Sequence, residues 1–331
     1  MVKITDVARH AGVSPSTVSY ALSGKRPITE DTRRRIEESI RELGYRPHAG
    51  ARALASSRTN VIALMIPLRA GVHVPVVMQF AAAVVTAARA YDQDVMLLTQ
   101  EEGEDGLRRM ADTAMADATI VMDVQLHDPR AQLLRTLPLP SVLIGFPADP
   151  SGLTCVDLDF RAAGEACVDH LAAQGHRRIA LIGSPPAVYA RETGFAERVV
   201  QGFTTAAGRH GLTTSFHPCE PTPEAAQDLA RRLLSESPAP TGLVIHNEPL
   251  IKPLTEAFHS LGLRIPEDLA LTAICPDETA EQAPVPVTSV AIPATEVGEK
   301  AVELLMRKLD GVPVPGATRL APRLTRRASS R

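Results

Sequence analysis

The chain has 331 residues, of which 44% are apolar and 22% charged, with a formal net charge of −3. It is too long for one ordinary domain, long enough to bury a large core, and has the composition of a soluble globular protein. No apolar run is long enough to span a bilayer. The opening MVKITDV lacks the apolar core of a secretory signal, and Cys155, Cys167, Cys219 and Cys275 show no paired spacing. These features argue against a membrane partner, export, a zinc site and a disulfide framework, and place the chain in the cytoplasm. Tryptophan is absent and aromatics are 3%, so stacking on bases or carbohydrate is poorly provided for. The charge is uneven: residues 1–58 carry 11 Lys+Arg against 6 Asp+Glu, and the remainder 24 against 32. A basic head on an acidic body suits a chain in which only the head meets phosphate.

The run Lys3 to Ser23 reads as two short helices. Ile4, Val7, Ala8 and Ala11 share one face, Asp6 suits the positive end of the helix dipole, and Gly12 stops the helix. Ser14 caps the second helix with Pro15 at its first position. Val18 and Leu22 are expected on its buried side. Small alanines, a turn glycine and an inward valine at these offsets give a helix-turn-helix, whose second helix enters a DNA major groove. A third helix follows the cap Thr29, with Ile36, Ile40 and Leu43 as its stripe and Gly44 as its stop. Arg33, Arg34 and Arg35 lie in its first half.

The order ITDVA, AGVS, TVS, TR, LGYRP and AR-x-L resembles the LacI/GalR family of transcription regulators. The match is almost residue for residue in the head and looser beyond it. The resemblance assigns base contacts to Pro15, Ser16, Thr17 and Tyr20. Ser16 can bond several bases, and Tyr20 offers a hydroxyl or an apolar contact; neither gives the bidentate guanine contact of an arginine. Phosphate contacts are expected from Thr5, Arg9, Ser14, Lys25, Arg26, Arg33 and Arg34, which would position the head without reading sequence. In residues 47–59, the match of Ala51, Arg52 and Leu54 implies a hinge helix that folds on the operator and pairs with its twin. Leu54 matches the leucine that wedges into the minor groove. His48 departs from the family's usual Asn.

From residue 60 the pattern alternates. Apolar runs at 61–66, 95–98, 119–122, 141–144, 179–182, 242–245 and 269–274 read as buried parallel strands. Helical stretches fall at about 76–91, 104–116, 161–174, 195–210, 223–236, 249–262 and 294–310. The expected class is thus an all-α head with a hinge helix, joined to an α/β core of doubly wound parallel sheets in two lobes. The resemblance makes that core periplasmic-binding-protein-like. The expected organisation is 1–46 head, 47–59 hinge and 60–331 core. Lobe 1 takes about 60–159 and 290–315, and lobe 2 about 160–289 and 316–331. GHRRIA followed by Ile182-Gly183, LGLRIPED at 261–268 and VTSV at 287–290 are further matches. The basic tail from Pro322 is expected to fray.

A ligand cleft belongs at the carboxyl ends of the strands, between the lobes. Position by position, the resemblance offers His73, Asp159, Arg191, Arg198, Asn247, Cys275 and Asp277 as effector-binding residues, with Arg191 and Arg198 competing for one role. Departures are several: Glu248 stands for Asp, Cys275 for Asp, Phe160 for Asn, and His73-Val74-Pro75-Val76 for Asn-Pro-Phe. The cleft is therefore expected to be less polar than a typical sugar site. No Gly-x-Gly-x-x-Gly, P-loop or Gly-x-Ser-x-Gly sequence is present, and the ten histidines lack metal-ligand spacing. Asp123, Asp157 and Asp159 form at most an imagined metal cluster. No cofactor and no catalysis are expected. The reading is a homodimeric DNA-binding regulator, a repressor, on a palindromic operator, controlled by a small-molecule effector such as a sugar or another metabolite. The alternative is a small-molecule binding module with only nonspecific DNA affinity.

Overall fold

A computed structural model describes residues 2–23, 26–45, 58–101, 103–113 and 115–330. Lys25 and the hinge residues Ala51, Arg52 and Leu54 lie outside the described residues, as does His48.

The head consists of α1 (Ile4–Ala11), α2 (Pro15–Ser23) and α3 (Glu30–Leu43). Local chemistry sets each boundary. The Lys3 N–H donates to Asp6 at 2.9 Å at the start of α1. Gly12 and Gly44 end α1 and α3 at φ 65° and 60°, a region L side chains resist. Thr29 accepts from the Thr32 N–H at 3.4 Å. Val7, Ala8, Ala11, Val18, Ile36 and Tyr45 form the small core. Leu22 does not join it: it is 41% exposed, and Ala21 packs inward instead. At about 100° per residue, positions 21 and 22 flank position 18 on opposite sides, and only one side is covered.

The core elements follow in order: β1 (Val61–Met65), α4 (Val74–Arg89), β2 (Asp94–Leu98), α5 (Gly103–Thr113), β3 (Ala118–Val121), α6 (Pro129–Thr136), β4 (Ser141–Ile144) and β5 (Cys155–Leu158). Then come α7 (Phe160–Ala173), β6 (Arg178–Gly183), α8 (Pro186–Ala190), α9 (Gly194–His210), β7 (Thr213–Pro218), α10 (Pro223–Ser235), β8 (Gly242–Ile245), α11 (Ile251–Ser260) and β9 (Ala270–Cys275). The chain closes with α12 (Asp277–Glu281), β10 (Thr288–Ala291), α13 (Ala294–Leu309), β11 (Ala317–Leu320) and β12 (Leu324–Thr325). Two six-stranded sheets result, ordered β11-β5-β4-β3-β1-β2 and β12-β10-β9-β8-β6-β7. Among the described strands of the two sheets, every pairing is parallel except that of β12 with β10. The central strands are fully buried, because helices cover both faces.

The chain passes between lobes at residues 159, 292 and 321–323. The last passage comes later than the expected Gly316, because β11 pairs with β5 in the first sheet before β12 reaches the second. The tail is also not frayed. Ser329 donates to the Leu271 carbonyl at 2.7 Å, Ser330 bonds His170 at 2.8 Å, and Arg327 pairs with Asp277 at 2.8 Å. Two close helix crossings depend on glycine. A Cβ at Gly298 of α13 would lie 2.6 Å from the Ala83 Cβ of α4, and one at Gly202 of α9 would overlap the Arg161 carbonyl of α7. Gly202 therefore serves packing within lobe 2.

Candidate nucleic-acid interface and effector cleft

On the head, Pro15 and Ser16 are exposed at the start of α2, with Thr17 and Tyr20 half-buried one turn further on. The Ser14 hydroxyl accepts the Thr17 N–H at 3.1 Å and lies 2.8 Å from both the Ser16 and Thr17 hydroxyls. This cap leaves the positive end of the helix and three hydroxyls facing outward. The Arg26 guanidinium sits 5.2 Å from the centre of the Tyr20 ring, bringing a cation beside the second helix. Thr5, Arg9, Arg33 and Arg34 are exposed. Arg9 pairs with Asp6 at 3.5 Å, while Asp31 holds Arg34 at 2.9 Å and Arg35 at 3.6 Å. Exposed pairs of this kind hold by a few tenths of a kcal/mol, so a phosphate can displace the carboxylate.

Between the lobes lies a cavity of about 300 Å³. The residues just after β1 and β3 line one side, and those after β6 and β8 the other. Val76, Val77, Phe80, Val188, Phe195 and Ile292 belong to its apolar lining, and Ser184, Glu220 and Asn247 to its polar lining. Phe160, Phe195 and His246 pack as a three-ring cluster with centroids 5.6–5.8 Å apart. Several polar pairs clasp the lobes together. His73 Nδ1 meets Glu248 at 2.9 Å, the partner across the cleft. Arg191 donates to the Ala70 carbonyl at 2.7 Å and stands 3.7 Å from Asp123, which is itself held by Arg69 at 2.9 Å. Burial holds the Arg191 guanidinium below its ordinary value. Arg198 of lobe 2 reaches the Pro147 carbonyl at 3.0 Å.

Two buried groups are electrostatically unusual. Burial pushes the Asp157 carboxyl up to about 7, against the pull of a backbone N–H from Leu158 and the charge of Arg198. Burial likewise lowers His246 to about 4, so it is neutral at physiological pH.

Of the expected effector residues, the structure brings His73, Arg191 and Asn247 to the cavity. Asn247 Nδ2 already donates to the Gly183 and Cys219 carbonyls at 3.0 and 2.8 Å. The other four face elsewhere. Asp159 caps α7 by accepting from Ala162 at 3.0 Å, and Arg198 lies over the Phe146 ring at 5.9 Å. Cys275 is fully buried within β9, and Asp277 pairs with Arg327. A residue at a strand end faces the cleft only if its side of the pleat does, and sequence spacing does not settle that. Asp123, Asp157, Phe160, His246 and Glu248 line the cavity, although the sequence does not mark them as effector residues. Asp123 carries one available signal, its place at the end of an apolar strand run; its φ of 52° reflects the tight turn there. Among the described residues no group of three or more His, Cys, Asp or Glu is placed to hold a metal, and no helix is long and apolar enough to cross a membrane.

Residues 3–48 match the family model "Bacterial regulatory proteins, lacI family", and residues 168–330 match "Periplasmic binding protein-like domain". The chain belongs to the LacI family. The HTH-type transcriptional regulator AglR of Rhizobium meliloti (strain 1021) is 29% identical over 92% of this chain and 87% of its own length. The ribose operon repressor of Escherichia coli (strain K12) is 26% identical over 93% of each. Among solved structures, the lac repressor dimer bound to operator and an anti-inducer shares the fold, with a TM-score of 0.84, 21% identity, and coverage of 99% of this chain and 98% of that one. The LacI-family head and sensor make this chain a DNA-binding transcription regulator whose operator affinity is controlled by an effector. The family consists of transcription regulators rather than enzymes.

Proposed function

We propose that this regulator is a cytoplasmic homodimeric repressor. Two heads would occupy the halves of a palindromic operator, and an effector in the interlobe cavity would set their affinity. The observation that carries this reading is the pairing of a capped, hydroxyl-bearing α2 with a cavity whose lobes meet through His73–Glu248 and Arg191–Ala70. A ligand that fits one lobe arrangement better than the other shifts the population by its difference in affinity. The dimer reading is supported by exposed Val74 and Met78 on α4 and Leu97 on β2, which a second copy of the chain would cover.

Base contacts are assigned to Pro15, Ser16, Thr17 and Tyr20, and phosphate contacts to Thr5, Arg9, Ser14, Lys25, Arg26, Arg33 and Arg34. His73, Arg191 and Asn247 remain assigned to the effector wall. The sequence match at Ala51, Arg52 and Leu54 supports a hinge that enters the minor groove. The test is binding to DNA upstream of the protein's own operon across a salt series. A specific complex is expected, with log affinity falling steeply against log salt, by about 0.9 per phosphate contact. Folded protein that binds all sequences equally overturns it. Leu54→Ala is expected to weaken specific binding about tenfold or more and nonspecific binding little.

A further inference from the structure

Four carboxyl groups line the interlobe cavity, those of Asp123, Asp157, Glu220 and Glu248, against one guanidinium, that of Arg191. Two of the four are already matched. Asp123 is held by Arg69 at 2.9 Å and stands 3.7 Å from Arg191, and Glu248 meets His73 at 2.9 Å. The other two have no ion-pair partner among the described residues. Glu220, just after β7, is exposed. Asp157, near the carboxyl end of β5, is only 7% exposed.

Asp157 is the group that asks for a ligand. Its Oδ1 accepts only the N–H of its own neighbour Leu158, at 2.9 Å. Its Oδ2 has no hydrogen bond among the described residues, and it is not one of the unpaired polar atoms sealed inside the protein, so it opens on the cavity. The charged groups around it do not satisfy it. Arg198 on α9 pulls on it from a distance, but Nη1 and Nη2 donate to the Gly194 and Pro147 carbonyls at 2.9 and 3.0 Å. Arg319, its register partner in β11, lies over the Phe146 ring at 4.4 Å. Elsewhere on the lining, Arg191 is spent on the Ala70 and Ala187 carbonyls, His73 on Glu248, and His246 is neutral at physiological pH. A buried carboxyl without a cation is costly, and an ammonium group brought to it turns that cost into a charge-assisted hydrogen bond. The remaining lining does not choose between hydrocarbon and hydroxyl, since Val76, Phe80 and Phe195 stand beside Ser184 and Asn247. What it specifies is charge: a cleft with an excess of one sign gathers ligands of the other.

We propose that the effector is a small organic cation whose protonated amine pairs with Asp157, drawn in by the exposed carboxylate of Glu220. This rests on the cavity being the effector site.

The full-length protein is titrated by calorimetry with two matched sets, each one skeleton ending in an amine, a hydroxyl or a carboxylate. One is tyramine, tyrosol and 4-hydroxyphenylacetate; the other is 6-amino-6-deoxyglucose, glucose and glucuronate. Within a set that binds, the amine is expected to bind at least tenfold tighter than the alcohol, with the carboxylate weakest. Burial lifts the Asp157 carboxyl to about 7, and only its ionised form pairs with an ammonium. Amine affinity should therefore rise from about pH 5.5 to about 7.5, with release of up to one proton per amine bound. Asp157→Asn is expected to erase both the preference for amine over alcohol and that proton release, which tells the effect from any owed to His73. Glu220→Gln should cost the amine only a few-fold, and less at high salt. The proposal is overturned if neither amine binds folded protein, if an alcohol or a carboxylate binds as tightly as its amine, or if folded Asp157→Asn keeps the preference. Should Asp157→Asn not fold, the wild-type series decides alone: an amine affinity that is flat or falls over that pH range overturns it. Operator affinity is measured in parallel. Selective amine binding that leaves operator affinity unchanged would sustain the ligand class and remove the regulatory reading. An alcohol or carboxylate that changes operator affinity at lower concentration than its amine would sustain regulation and overturn the ligand class.

Discussion

The head and the cleft are specified in opposite ways. In the head, each boundary comes from a residue acting on its immediate neighbours: Gly12 and Gly44 at positive φ, Ser14 and Thr29 as caps, Pro15 where no N–H is needed. In the cleft, the contacts that join the two lobes are far apart in sequence. His73 meets Glu248 across 175 positions, and Arg191 meets Ala70 across 121. A function built on one short helix can be read from a short string; one built between two lobes exists only once both sheets are formed.

That difference can be broken by mutation, and the largest effect is expected in the head. Val18 is wholly buried in a core of only six residues. Val18→Asp would place an unpaired charge there, unfold the head and abolish specific DNA binding, by a hundredfold or more, because so small a core has little stability to lose. The thermal transition of the core is expected to stay unchanged. If both change together, the two regions are not independent.

Next in size is Gly298→Val, which forces α13 off Ala83 and is expected to destabilise lobe 1 by about 1–3 kcal/mol in denaturant unfolding. DNA affinity of the remaining folded protein should change little if only packing is lost.

Asp157 gives an effect that depends on pH and has a definite sign. Its folded value of about 7 exceeds the ordinary 3.8, so the folded chain holds a proton that the unfolded chain has released. Its contribution to stability is therefore full below about pH 4 and lost as pH rises to about 7. His246, lowered to about 4 from 6.5, works in the opposite sense: stability is gained as pH rises through that range. The two offset each other in the wild type. Asp157→Asn removes one of them. Relative to the wild type, the variant should gain stability steadily from pH 4 to 7, with a slope of at most about 1.4 kcal/mol per pH unit. A flat difference across that range would show that Asp157 is not held protonated.

The smallest expected change is Asp31→Asn. It frees Arg34 and Arg35 from exposed pairs at 2.9 and 3.6 Å, and stability should move by no more than about 0.5 kcal/mol. DNA affinity should rise modestly at low salt and converge with the wild type at high salt.

The same contrast governs what the sequence makes legible. The core's alternation is readable because β1, β3, β4, β6, β8 and β9 are buried, nearly continuous apolar runs. β5 escapes such a reading because Asp157 interrupts it, and β7 because an edge strand with the sequence TTSFHP has no apolar run to show. Leu22 lies outside the head's core, against expectation, because helical spacing gives two candidate inner edges and only tertiary packing chooses between them. The tail is ordered, against expectation, because Ser329 and Ser330 look solvent-seeking until the Leu271 carbonyl and His170 are brought to meet them. In the cleft, the resemblance names positions, but Cys275, Asp277, Asp159 and Arg198 turn to other partners once the sheets are paired.

The central claim is that a capped reading head is carried in duplicate by a two-lobed sensor. A nuclease footprint on DNA upstream of the regulated operon tests it most directly. Two protected half-sites related by a twofold axis, lost in Val18→Asp while the core remains folded, are the predicted result. A single unsymmetrical footprint, or a footprint that survives Val18→Asp, would contradict it.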